Sequence, residues 1–157
     1  MAKTQQETIN GWTIYTNRLP MLRGLEQKAR VMKVTVPIAA PLAPLAKEAK
    51  EGGGIQNIDI ERAAVMLAQA AVHLEPAQLP VVIQDILQTT SVVMPDDKGR
   101  MNRIDLCDAG AIDRVFTDAG ELVLFKVVWF ALKVQFENFL GGSVFDLFTQ
   151  ATPTPSP

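Results

Sequence analysis

Two side chains in this sequence are the first candidates for thiol or zinc chemistry. They are His73 and Cys107, each the single copy of its type. A catalytic thiol needs a base within hydrogen-bond reach, and a zinc site needs about four ligands. No cluster of cysteine, histidine or carboxylate with ligand spacing surrounds either residue, and nothing in the sequence brings the two segments together. Asp96, Asp97 and Asn102 offer oxygen ligands, but their spacing departs from the D-x-[DN]-x-[DN]-G calcium loop, so turn chemistry is the better reading. Gly52-Gly53-Gly54 lacks the GxxxxGK[ST] pattern of a phosphate loop and reads as a joint. Asp105 and Asp108 form an acidic pair, of which Asp108 more simply caps a helix. We therefore expect no catalytic residue, no cofactor and no metal, and a binding protein rather than an enzyme.

Binding surfaces come next. Arg18, Arg23, Lys28, Arg30 and Lys33 make the densest basic patch, balanced locally only by Glu26. No aromatic interleaving or nucleic-acid motif accompanies them, so a solvated helix face outweighs a DNA-binding regulator. The net charge of −2 and pI near 5.4 give no general attraction to nucleic acid or anionic membrane.

The elements that would carry such surfaces can be read in order. Residues 1–10 are polar and expected to be loose. Asn10-Gly11 marks a turn, and Trp12–Thr16 has the aromatic and β-branched character of a strand. From Pro20 to Lys33, Leu22, Leu25, Ala29 and Met32 form one apolar stripe of an amphipathic helix. Residues 37–57 are rich in proline and glycine and read as a connection. Asp59 caps a helix whose stripe is Ile60, Ala63, Ala64, Leu67, Ala71 and Leu74. Pro80 opens a further helix to about Gln88. Residues 90–104 read as a hairpin around Pro95-Asp96-Asp97-Lys98-Gly99. Asp108 caps a short helix, Ala109 to Phe116.

The dominant element is Asp118 to Gly142. Asp118 and Glu121 have capping-box spacing, and Gly141-Gly142 supplies a stop. Between them lies a helix of about six turns, apolar nearly all round. Its wettest side, Lys126, Phe130, Lys133 and Glu137, still carries an aromatic ring. Such a helix is either central to a core or shared with a partner. Its lysines argue against a membrane span. Trp129, Phe130, Phe136 and Phe139 are the candidate partner-binding residues. Phe145 and Phe148, on a short amphipathic stretch beyond, form a second patch. Residues 150–157, part of a Thr- and Pro-rich tail, read as disordered.

Taken whole, 157 residues with 48% hydrophobic and 20% charged content suit one globular domain at 11–149. The fold expected is mainly α, with a small β element made of the N-terminal strand and the hairpin. One cysteine and the absence of an apolar leader point to a cytoplasmic setting.

The layout resembles a known family. The strand, proline and helix of TIYTNRLPMLRGLEQKARVMK lead into a Pro/Ala-rich middle. An aspartate-led short helix then runs into an aromatic helix, DLCDAGAIDRVFTDAGELVLFKVVWFALKVQFENFLGG. Across residues 12–142 this is similar to the tail assembly chaperones of long-tailed bacteriophages. The family pattern has asparagine before the first phenylalanine of that ending, where this chain has Gln135. The resemblance implies a largely helical, non-enzymatic protein of the infected host cytoplasm. It would bind the tape measure protein, keep it soluble, help recruit tail tube subunits and leave before the virion is complete. Self-association is a further expected contact; nucleic acid and membrane are not expected partners. A structural virion subunit, such as a tail completion or connector protein, is the rival reading.

Overall fold

A computed structural model describes residues 4–35 and 59–140, with side chains assigned over 4–30 and 59–135. The expectations for 37–57, 143–148 and 150–157 lie outside these residues. Among the described residues nine elements follow in order: β1 (Thr4–Ile9), β2 (Trp12–Asn17), α1 (Met21–Thr35), α2 (Ile60–Ala71), α3 (Leu79–Leu87), β3 (Thr90–Pro95), β4 (Met101–Asp105), α4 (Ala109–Phe116) and α5 (Glu121–Leu140).

The strands join in one antiparallel sheet of order β1-β2-β3-β4. The mainly α expectation is therefore corrected: this is a mixed α/β fold. Two things were hidden. Thr4–Ile9, expected to be loose, pairs with β2 along its whole length from Thr4↔Asn17 to Ile9↔Trp12. The strand and the hairpin, expected as separate pieces, then meet edge to edge through Ile14↔Val92. Asn10 and Gly11 both have positive φ, 59° and 76°, which matches the type I′ hairpin turn that Asn-Gly favours. At the second hairpin the Asp96 carboxylate accepts from the Lys98 and Arg100 N–H groups and from Asn102 Nδ2. The acidic cluster thus closes a turn.

Alternation sets the inner face. Ile14 and Thr16 of β2 are buried, and Ile14 registers with Val92, which registers with Ile104. Along β1 the same face carries Gln5, Glu7 and Ile9, of which only Ile9 is buried. Helix α5 contacts β1 and β2, and it also packs on α2 and α3. Helix α2 presents Ala63, Ala64 and Ala70, all fully buried, and small residues let two helix backbones approach closely. Trp12 and Phe116 close one end of the core with ring centroids 6.1 Å apart.

Helix starts follow local chemistry. Asp59 accepts from the Glu61 N–H and Asp108 from the Ala111 N–H. Helix α5 departs from expectation here: it begins at Glu121, so Asp118 lies outside it, and Gly120 enters at φ 98°. Glycine tolerates that left-handed backbone.

Candidate functional site

The reactive residues are placed apart from any assembled chemistry. His73 and Cys107 are exposed. Among the described residues, no group of histidine, cysteine or carboxylate could hold a metal. Among them too, no helix is long and apolar enough to cross a membrane.

The basic patch is largely turned to structural work. Arg18 Nε donates to the Val134 carbonyl at 3.2 Å, tying the end of β2 to α5. Arg30 grips Asp85 of α3 through Nη2 at 2.9 Å and Nε at 3.2 Å, and Glu26 through Nη1 at 3.0 Å. Arg23 reaches Gln88 at 3.5 Å. These contacts orient α1 against α3.

Trp129 and Phe130, expected on a partner surface, are each 3% exposed and sit in the core. The side of α5 that read as wettest is the side α2 covers. Lys126 pairs there with Glu61 of α2, and Phe130 belongs to the main apolar cluster. The two neighbours that an all-round apolar helix requires are thus supplied within the chain, by the sheet and by α2. The Trp129 indole N–H is buried and finds no acceptor among the described residues. Phe136 and Phe139 lie on the last turns of α5, beyond the described side chains. Phe145 and Phe148 lie outside the described residues.

A polar seam that sequence reasoning missed holds α5 in place. Gln135 is buried, and its Oε1 accepts from the Leu19 N–H at 2.9 Å. Its Nε2 donates to the Asn17 carbonyl and to Thr89 Oγ1, both at 2.7 Å. Thr16 and Thr90 hydroxyls share a hydrogen bond of 2.6 Å nearby in register. One side chain therefore bolts the helix to the β2–α1 corner and to the start of β3. The signal was available: a lone glutamine inside an apolar run needs partners if buried.

Helix α1 carries adjacent large apolar residues that face outward, as Val72, Val81 and Met101 do singly elsewhere. Met21 is 78% exposed, Leu22 81% and Leu25 44%, while Gln27 of the same helix is fully buried. The helix expected here is present, but Leu22, Leu25 and Ala29 of its stripe are exposed, and Met32 lies beyond the described side chains.

A family model described as phage tail assembly chaperone protein, TAC, matches residues 10–146. That span runs from the first hairpin turn through α5. No curated protein and no solved structure matches the chain.

Proposed function

The chain belongs to the phage tail assembly chaperone family, and from that we propose that it binds the tape measure protein in the host cytoplasm. In this reading it keeps that long, apolar helical client soluble and helps recruit tail tube subunits. It does so by contact alone, without catalysis. The match over residues 10–146 carries the proposal. The apolar face of α1 supports it, because contiguous exposed apolar surface on a soluble fold marks an interaction site. Phe136, Phe139, Phe145 and Phe148 are proposed as further client contacts. Trp129 and Phe130 are buried and would join them only if the core around α5 opened.

The test is co-expression of the full chain with the tape measure protein of the same phage. The expected result is a rise in soluble tape measure protein and its recovery with the tagged chain. Neither effect would be seen if the reading is wrong. Mass spectrometry of purified particles addresses the rival: the chaperone is expected to be absent, whereas a virion subunit is retained.

A further inference from the structure

We propose that the chain forms a two-fold dimer by pairing β4 with the β4 of a second copy, antiparallel and centred on Ile104. The two sheets then run on as one, four strands from each copy. The inference goes beyond the chaperone reading and stands independently of it.

Among the described residues β4 is an edge strand of the sheet, and its ladder fixes which backbone groups it offers. The Asp96 N–H donates to the Arg100 carbonyl at 2.8 Å, and the Leu106 N–H donates to the Thr90 carbonyl at 2.9 Å. Backbone direction alternates along a strand, so Asn102 and Ile104 also turn their polar groups toward β3. The N–H and C=O groups of Met101, Arg103 and Asp105 therefore point away from the sheet. Met101, Asn102, Arg103 and Asp105 are exposed, and Ile104 is half-buried. Such a row of outward donors and acceptors is a template for another strand. The opposite edge differs. There β1 turns an exposed Glu7 to the inner face, an inward charge of the kind that discourages strand pairing. The inner positions of β4, Asn102 and Ile104, carry no charge.

Charge selects the occupant and the register. Arg103 and Asp105 lie two apart on the outer face, opposite Val93 and Ser91, which are uncharged. Neither forms an ion pair with another described residue. Arg103 lies over the Tyr15 ring at 5.3 Å, a contact through the guanidinium face that leaves its N–H rim to bond. A copy turned about an axis through Ile104 sets Arg103 opposite the partner's Asp105, and Asp105 opposite the partner's Arg103. These are the residues whose backbone groups point outward, so each pair also exchanges two backbone hydrogen bonds. Sliding the partner by two residues keeps that bonding but sets Arg103 against Arg103, or Asp105 against Asp105. Like charges directly opposite are destabilising. One register of a second copy thus satisfies both the backbone and the charges, as an isologous interface requires.

The experiment uses the full chain. Sedimentation velocity from about 1 μM to about 1 mM, the range of small interfaces, should show the mass doubling. Arg103→Asp puts like charges opposite each other and should weaken the dimer about tenfold or more. Arg103→Asp/Asp105→Arg restores opposite charges without restoring the stack on Tyr15, and should return the affinity to within about threefold. For the register, Ile104→Cys and Asn102→Cys are each placed in a Cys107→Ser background and oxidised in air with copper phenanthroline. Residue 104 meets its own copy on the axis, with Cα atoms about 4.5 Å apart, so Ile104→Cys should give a disulfide-linked dimer. Residue 102 faces position 106 of the partner, so Asn102→Cys should link about tenfold more slowly or not at all. A wild type that stays monomeric throughout the range overturns the proposal. So does a dimer indifferent to Arg103→Asp, one that charge reversal fails to restore, or Asn102→Cys linking as fast as Ile104→Cys.

Discussion

Replacing Gln135 by leucine tests the polar seam most directly. The two side chains are similar in size, so the change deletes hydrogen bonds with little loss of volume. The Asn17 carbonyl keeps a donor, because Thr89 Oγ1 also bonds it at 2.7 Å. Thr89 still has that bond to give. The Leu19 N–H is the group left behind, buried and deprived of the Gln135 oxygen. An orphaned buried donor costs about 1–3 kcal/mol. Leucine gains little in return beside carbonyls and hydroxyls, so we expect a loss of about 2 kcal/mol. With a urea slope of about 2 kcal/mol per M, the midpoint should drop by about 1 M. Tryptophan fluorescence reads the transition, since Trp129 is in the core. Thr89→Val, which strikes the same seam, should cost about 1 kcal/mol. The double variant should lose more than the sum, by about 0.5 kcal/mol or more, because each single change leaves the Asn17 carbonyl one donor and the pair removes both. A midpoint for Gln135→Leu within about 0.2 M of wild type would refute the reasoning, as would strict additivity with Thr89→Val.

Three other changes probe the helices. Gln27→Met removes a buried oxygen without a partner, and the Asp85 carbonyl retains Gln88 Nε2 at 2.8 Å. The urea midpoint should hold or rise, by up to about 1 kcal/mol in stability. Gly24→Ala places a methyl 3.8 Å from the nearest heavy atom, the Leu19 carbonyl oxygen. It should stabilise by about 0.5–1 kcal/mol through helix propensity, seen as greater thermal stability in circular dichroism. Ala64→Leu inserts bulk where α2 lies against α5 and should cost about 1–3 kcal/mol, measured by the same urea titration.

What could be read from sequence was whatever depends on neighbours in the chain. Asp59 and Asp108 announced their helices because a cap is a local bond between a side chain and an N–H two or three residues on. Asn10-Gly11 and the Asp96 turn were legible for the same reason. Thr4–Ile9 was not. Its composition, TQQETI, is polar because it is an edge strand that buries only Ile9. Strand pairing, unlike capping, draws on a distant partner. The stripe on α1 was found by its period, yet periodicity does not say which side the fold will cover. The decision lay with Asp85 and Gln88, on another helix. Helix α5 was recognised by its oily circumference, but whether its neighbours came from within or from a client was a tertiary fact. Phe130 finds them in the main apolar cluster, and Trp129 is buried within the chain as well. The family resemblance drew on the layout of elements, and the family match over residues 10–146 agrees with it.

The wiring of the sheet has a consequence for how the molecule is made. Neighbouring strands β2 and β3 are stitched by groups 72 positions apart, and the Gln135 bolt reaches back 116 positions to Leu19. A ribosome adding about 5–20 residues per second needs roughly 6–24 s to go from Asn17 to Gln135. Through that interval the first hairpin exists without the helix that dries its inner side, and a lone hairpin is marginal in water. Ile9 and Ile14 share their apolar cluster with Val127, Val128, Ala131 and Val134, so that cluster is incomplete until α5 has emerged. The nascent polypeptide is thus itself a sticky, half-made substrate. Maturation waits on its final long helix, and ribosome-bound chains halted before Val127 should be cut by protease across their whole length.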